Sequence, residues 1–260
     1  MNRSGLNIRL LLMLGIIGFS VISFYMKSSV NPITGEKQRV SLTPEEEVAM
    51  GLQSAPQMAA EFGGEYQDLK VQTAIKQIGA KLISKSNLTE TPYSFDFHVL
   101  ADPETVNAFA LPGGQIFITV GLLKRLENEQ QIAGVLGHEI GHVVNRHSAE
   151  HMAQQGLLQG IAQGVLVGTS DGGMSSGQIA SVVANMVSMK YGRDDELESD
   201  KYGLRYMANS GYQPEQMIRV MEILNEASGG RQQSEFTSSH PSSENRIAKI
   251  KEEIAKMKGE

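Results

Sequence analysis

The stretch EQQIAGVLGHEIGHVV, residues 129–144, contains the motif H-E-x-x-H as His138-Glu139-Ile140-Gly141-His142. Apolar residues recur through it at helical spacing, so we predict a helix over 129–153. Residues four apart lie one above the other on a helix, so both imidazoles can meet one metal ion. Glu139 lies beside them, where it can polarise a metal-bound water. The motif therefore predicts zinc-assisted hydrolysis of a peptide bond.

Two interpretations without catalysis compete with this one. In the first, the motif lies on a buried helix whose two histidines bond to backbone groups. In the second, the zinc site is purely structural, although such sites are closed by four ligands and seldom place a free glutamate beside the metal. The first interpretation loses weight if the chain supplies a third ligand.

A third ligand is expected in the acidic run RDDELESD, residues 193–200. A catalytic zinc ion needs three protein ligands and one open position, and the chain has no cysteine, so histidine or carboxylate must supply them. Glu196 and Asp200 share one face of a predicted helix over 194–209. We expect one of this pair to bind the metal and the other to support a ligand histidine.

Other polar residues near these motifs are expected to have no part in the site. His147 and His151 fall well off the helix face of the two motif histidines, so we predict solvated or capping roles for them. We interpret Asp194 as a candidate helix cap and Glu198 as a surface residue. His98 lies on the face of its predicted strand opposite the apolar residues, so we place it on the surface as well.

The N-terminus predicts export. Arg3 and Arg9 accompany an apolar run over 10–26, with no small-residue cleavage site after it. We expect residues 1–27 to be an uncleaved signal anchor, with a cleaved signal peptide as the alternative. Residues 28–43 read as a linker. The net charge of −6 argues against nucleic acid as a partner.

Residues 44–260 are expected to form a single domain of class α+β, rich in helices, with a small antiparallel sheet before the motif helix. Three strand-like segments cover 94–101, 107–111 and 115–120. The predicted helices cover 43–62, 68–86, 122–127, 129–153, 178–190, 194–209, 214–227 and 244–257. We interpret the Gly/Ser-rich stretch 156–177 as a mobile loop, either a lid over the cleft or a plain flexible hairpin.

Several motifs together carry a family resemblance. They are H-E-x-x-H, then E-x-x-S-D at 196–200, N-A-F-A-L-P-G-G at 107–114, and His240-Pro241 with Arg246 six residues after the histidine. Residues 40–257 resemble the zinc metalloprotease family of the CaaX prenyl proteases, HtpX and the periplasmic β-barrel-assembly-enhancing proteases. The resemblance implies a zincin domain of the gluzincin-like type. The single apolar segment makes the soluble exported branch the expected match. That branch often carries tetratricopeptide repeats, which this sequence does not show, so no partner-docking role of such repeats is expected here.

The resemblance also implies roles for matching positions. One zinc ion per chain would be bound by His138, His142 and Glu196. Glu139 would act as general base and later as acid, while Asp200 would hydrogen-bond a ligand histidine. These assignments resolve the choice that the acidic run alone leaves open.

Two further regions take roles from the resemblance. An extended substrate would pair with a sheet edge formed by Asn107, Ala108, Phe109, Ala110 and Leu111. His240 would face the zinc ion, either to stabilise the oxyanion or to fill the open position in a latent state. Arg246 would support this part of the site.

The expected activity is that of a periplasmic endopeptidase in envelope protein quality control, tethered to the inner membrane or released from it. Its partners would be misfolded or stalled exported and outer-membrane proteins, and the membrane itself if the anchor is not cleaved. The alternative is a chaperone or assembly factor that binds extended segments and has latent protease activity.

Overall fold

A computed structural model describes residues 3–169, 191–228, 235–240 and 245–259. The helices are α1 Arg3–Met26, α2 Pro44–Glu61, α3 Leu69–Lys85, α4 Val120–Leu123, α5 Glu129–Val144, α6 His147–Thr169, α7 Arg193–Asn209, α8 Gln216–Ser228, α9 Glu235–Ser239 and α10 Arg246–Gly259. The strands are β1 Ser29–Val30, β2 Lys37–Gln38, β3 Asp96–Leu100, β4 Ala108–Ala110 and β5 Gln115–Thr119. The prediction of a helix-rich chain with a small sheet is confirmed.

The chain divides into two compact units. The first comprises residues 1–43 and 148–187, and the second comprises 44–147 and 188–260. In the first unit, β1 and β2 pair antiparallel within the predicted linker. Residues 8–26 of α1 are long and apolar enough to cross a bilayer, a property that a signal sequence shares.

The second unit is built around α5, whose residues from 131 to 144 are almost all buried. Asn128 begins this helix as its N-cap, because its side chain accepts hydrogen bonds from the amides of Gln130 and Gln131. The helix packs most extensively against α7. Gly137 and Gly203 face each other there, and a Cβ added to Gly203 would lie 3.0 Å from the backbone nitrogen of His138. Their missing side chains let the two helices approach closely.

The three-stranded sheet is mixed, so the prediction of an antiparallel sheet is wrong. The strand order is β3-β5-β4, in which β3 runs parallel to β5 and β4 runs antiparallel to it. The turn at Pro112-Gly113-Gly114 joins β4 to β5 as predicted, but the chain from 101 to 107 crosses to the far side of β5 before β4 begins. Every residue of β5 is buried, as expected of a central strand. An alternating pattern predicts a strand without naming its neighbour.

The predicted helix over 129–153 is two helices. Arg146 takes a φ of 59°, in the left-handed region, and α6 starts at the next residue. Its guanidinium is buried and pairs with Glu47 in α2, through Nε at 2.8 Å from Oε1. This ion pair holds the chain in the conformation that ends α5.

The stretch 156–177 is also not the loop that was predicted, as far as the structure describes it. Residues 156–169 belong to α6, and the rest of the stretch lies outside the described residues, as does the predicted helix over 178–190. Glycine and serine content is typical of a loop, whereas the backbone of residues 156–169 is helical. The predicted helix over 122–127 shortens to the four residues of α4.

Candidate metal centre

Four buried side chains bring ligand atoms to one place in the second unit: His138, His142, Glu196 and His240, whose ligand atoms all lie within 4.8 Å of one another. The two histidines of the motif face each other with their Nε2 atoms 3.1 Å apart. The carboxylate oxygens of Glu196 lie 3.6 Å and 3.5 Å from these two nitrogens. Ligand atoms around a tetrahedral zinc ion are about 3.3 Å apart, as bond lengths of about 2.0 to 2.1 Å require. The cluster therefore has the spacing of a zinc site.

His138 is oriented by a carboxylate behind it. Its Nδ1 lies 2.9 Å from Oδ1 of Asp200, which leaves Nε2 directed at the other ligands. The alternate nitrogen of a metal-binding histidine normally has such a partner. Asp200 follows Glu196 by one helical turn, so a single helix supplies both the ligand atom and the support.

Arg246 contacts two of the carboxylates of α7, those of Glu196 and Asp200, and favours their ionised form. Its guanidinium contacts Asp200 at 2.6 Å and 2.8 Å and Glu196 at 2.6 Å. Burial, the largest single effect, raises the pKa of both carboxyls, but the charge of Arg246 together with hydrogen bonds and the neighbouring histidines lowers the pKa of each below its ordinary value. Burial also lowers the pKa of His142 well below its ordinary value, so this imidazole is neutral and able to bind a metal ion.

The environment of Glu139 leaves its carboxylate without a hydrogen-bond partner among the described side chains. It is fully buried, and among the described residues neither carboxylate oxygen has a hydrogen-bond partner. Burial raises its pKa, and Nε2 of His240 lies 3.7 Å from Oε1. An unsatisfied carboxylate beside three ligands fits a centre that holds zinc and a water molecule. The residues present thus fit the metal that the sequence predicts.

His240 lies inside the ligand cluster. Its Nδ1 is 3.4 Å from Nε2 of His138 and 2.9 Å from Oε1 of Glu196. The short helix α9 positions it, since the amide of His240 donates to the carbonyl of Phe236 at 2.7 Å and the two rings stack. Burial lowers the pKa of His240, but Glu196 and Glu139 raise it further than burial lowers it. Its partner in the quoted motif, Pro241, lies outside the described residues.

Among the described residues, the predicted substrate-binding strand β4 lies at an edge of the sheet, with β5 as its neighbouring strand. The amide of Thr119 donates to the carbonyl of Asn107, and the amide of Leu111 donates to the carbonyl of Gln115. Because backbone groups alternate along an antiparallel pair, those of Ala108 and Ala110 point away from β5. A pairing peptide requires backbone groups directed away from the sheet in this way, although Ala108 and Ala110 are both buried in this structure.

Several interpretations of individual polar residues are wrong. His147 is buried and contacts His142, and its Nε2 lies 3.2 Å from Oε2 of Glu198, so neither residue is a solvated bystander. His98 is partly buried: its ring stacks on Phe117, and its two nitrogens lie within hydrogen-bond distance of Glu65 and Gln115. Asp194 is not the N-cap of α7, since Gly192 takes that position.

Tyr191 was missed as well, and it stacks on the ring of His142 with centroids 3.9 Å apart. It precedes α7, and no spacing rule links it to the motif helix. For His147, the sequence offers one indication, its position five residues after His142. In a continuous helix that position points away from His142, so helical geometry argues against a contact.

Comparison with known proteins agrees with this centre. Peptidase family M48 matches residues 69–254, and the chain belongs to this family of zinc metallopeptidases. It is 29% identical over 179 residues to the mitochondrial metalloendopeptidase OMA1 of Schizosaccharomyces pombe, covering 68% of this chain and 51% of that protein. It is 27% identical over 194 residues to the beta-barrel assembly-enhancing protease of Escherichia coli, covering 71% and 39%. It is 32% identical over 174 residues to metalloprotease YcaL of the same species, covering 66% of each.

The chain thus spans about half or less of the first two relatives. The suspected family is confirmed, and zinc is its metal. The individual residue roles stay predictions; the structure brings His138, His142, Glu196 and His240 together as residues that could hold a metal ion.

Proposed function

We propose that this protein is an exported zinc-dependent endopeptidase that hydrolyses extended segments of misfolded or stalled envelope proteins. The observation that carries the proposal is the buried carboxylate of Glu139, which accepts no hydrogen bond from the described residues and lies beside the candidate ligands His138, His142 and Glu196. Two relatives are named as metalloendopeptidase and as beta-barrel assembly-enhancing protease, which supports a proteolytic role in a membrane-bounded compartment. The apolar segment 8–26 supports export, either as an anchor or as a signal sequence.

In this mechanism, His138, His142 and Glu196 would hold the zinc ion, which when bound would supply Lewis acidity toward water and the scissile carbonyl. Glu139 takes the proton of the attacking water at its carboxylate and later gives it to the leaving amine. Its raised pKa suits a group that must both accept and donate a proton. An extended peptide pairs with the outward-facing backbone groups of Ala108 and Ala110, which aligns the scissile bond with the site.

Replacement of Glu139 by glutamine tests the general base. We expect Glu139→Gln to keep its zinc, because Glu139 is not among the ligands, and to lose casein cleavage by about 100-fold or more. Zinc content is measured on the same sample by metal analysis, and self-cleavage is followed alongside. Glu90→Gln, the same chemical change at an exposed position, is the matched control and should cleave as the wild type does. Cleavage at the wild-type rate by zinc-loaded Glu139→Gln would show that the assignment is wrong.

The position of His240 favours a latent state. Its Nδ1 lies among the other ligand atoms, where it would fill the fourth coordination position. A catalytic zinc site must keep that position open for water. The same segment also reaches the proposed substrate edge, because the amide of Phe236 donates to the carbonyl of Val106 at 3.2 Å. Withdrawal of α9 and His240 would therefore open the centre and release a backbone group next to the edge strand.

These contacts also support the second candidate function, that of a chaperone or assembly factor with latent protease activity. His240→Ala separates the two. A protease held latent by His240 gains casein cleavage in this variant, whereas a His240 that stabilises the oxyanion loses it. A variant that stays inactive with full zinc, yet suppresses aggregation of an unfolded protein as well as the wild type does, would favour the chaperone.

A further inference from the structure

We infer that His147 and Glu198 are positioning residues that fix the orientation and tautomer of His142. They form a relay, defined as the chain of contacts from His142 through His147 to Glu198. This inference rests on the proposed zinc centre and adds to it two residues outside the ligand set. Neither residue touches the ligand position itself, so their effect must pass through the imidazole of His142.

The contacts of the relay are short and mostly buried. Nδ1 of His142 lies 2.9 Å from Nδ1 of His147. The opposite nitrogen of His147, Nε2, lies 3.2 Å from Oε2 of Glu198. The side chain of His147 is 1% exposed and that of Glu198 is 29% exposed. The first contact is therefore shielded from water, and the second ends at a partly exposed carboxylate.

The chemistry of these atoms sets the direction of each hydrogen bond. A carboxylate only accepts, so Nε2 of a neutral His147 carries the proton and donates to Glu198. Nδ1 of His147 then has a lone pair and must accept, so Nδ1 of His142 donates. This leaves Nε2 of His142 without a proton and directed at the ligand cluster. The opposite tautomer of His142 would place a proton where the metal should bind.

Neighbouring groups are consistent with this direction. The hydroxyl of Ser199 lies 3.3 Å from Nδ1 of His147 and can donate to the same lone pair. Oδ1 of Asp195 is 4.0 Å from Nε2 of His147, on the side of Glu198, and adds negative charge there. Tyr191 covers one face of the His142 ring, which restricts its rotation.

The break between α5 and α6 is what places His147 in the relay. In a continuous helix, a residue five positions after His142 would point away from it. The left-handed conformation of Arg146, held by the buried pair with Glu47, turns the chain so that the side chain of His147 returns to Nδ1 of His142. The unusual backbone at this point thus has a consequence for the metal centre.

Zinc affinity of the full-length protein tests the relay, measured by competition with a chromophoric chelator. His147→Leu fills similar space without an acceptor and should weaken zinc binding by about 10- to 100-fold. His147→Asn puts a carbonyl oxygen near the place of Nδ1, so it should retain much more of the affinity. The visible spectrum of the cobalt-substituted protein should change in His147→Leu and change less in His147→Asn. This pair separates hydrogen bonding from packing.

Glu198→Ala tests the outer end without disturbing the core, with Asp194→Ala as the matched control on an exposed part of the same helix. Glu198→Ala should weaken zinc binding and Asp194→Ala should not. Equal affinities in these two variants, or equal losses in His147→Leu and His147→Asn, would refute the relay. Absence of zinc uptake by the wild-type protein would instead refute the proposed function, so the two failures are distinguishable.

Discussion

Replacement of Arg246 by methionine should destabilise the zinc-free protein strongly and the zinc-loaded protein less. The guanidinium lies between two buried carboxylates, contacting Asp200 through two nitrogens and Glu196 through a third. Methionine fills much of the same volume without charge. Both carboxylates then remain buried, and His138 is the remaining described partner of Asp200 that approaches within 3 Å.

The magnitude follows from that burial. Removal of one partner from a buried ion pair costs roughly 3 to 5 kcal/mol, because the remaining charge is left uncompensated. For a domain of this size, that corresponds to a fall in melting temperature of roughly 6 to 20 °C. Zinc adds positive charge at Glu196 and offsets part of this cost. The rise in melting temperature caused by zinc should therefore be larger in Arg246→Met than in the wild type.

Thermal unfolding followed by circular dichroism, with and without a chelator, measures both effects. Arg219→Met is the matched control, because Arg219 also pairs with several carboxylates, those of Glu127, Glu222 and Glu226. The side chain of Arg219 is 38% exposed, so solvent screens these pairs. The melting temperature of Arg219→Met should therefore differ from that of the wild type by less than about 2 °C.

Two results would overturn the reasoning. If zinc-free Arg246→Met melted within about 2 °C of the wild type, the carboxylates would not depend on Arg246 for compensation. If zinc raised the melting temperature of both proteins equally, the charge of the metal would not compensate for the lost guanidinium.

Two further predictions concern the scaffold. Asp68 accepts hydrogen bonds from two amides in the first turn of α3, so Asp68→Ala should lower stability by about 1 kcal/mol without changing cleavage, as denaturant unfolding and a casein assay would show. Gly113 has a φ of 79°, and a Cβ there would lie 2.5 Å from the backbone nitrogen of Val48. Gly113→Ala should cost roughly 2 to 5 kcal/mol, against roughly 1 to 2 for Gly211→Ala, which has a φ of 74° and open space. Equal losses in the two glycine variants would contradict the close contact.

The sequence predicted the parts of the centre that follow from helical spacing. His138 and His142 are four apart on α5, and Glu196 and Asp200 are four apart on α7, so one rule places each pair on a face. The structure brings these two faces together with the spacing of a tetrahedral site. The resemblance to the family supplied His240 and Arg246, which no local pattern would have selected.

The parts that could not be predicted depend on contacts between distant segments. The end of α5 depends on Arg146 meeting Glu47, a residue 99 positions earlier in the chain. The partner of β3 depends on the path of residues 101–107, which the alternation of apolar residues does not specify. The interpretation of Glu198 failed because its helical face was judged against α7 alone, whereas its partner His147 lies on another helix.

The two motif histidines differ in how the chain supports them, and this difference explains which support was predictable. Asp200 reaches His138 directly from the helix that also carries Glu196, so the family pattern contains both. His142 reaches its carboxylate through a second histidine, and that histidine is in place only because the helix breaks at Arg146. When a carboxylate contacts a metal ligand only through an intervening residue, no fixed sequence spacing relates the carboxylate to the ligand. The contacts that support His142 are therefore visible only in the structure. We expect the zinc affinity of the protein to be the property most sensitive to changes at the junction between α5 and α6.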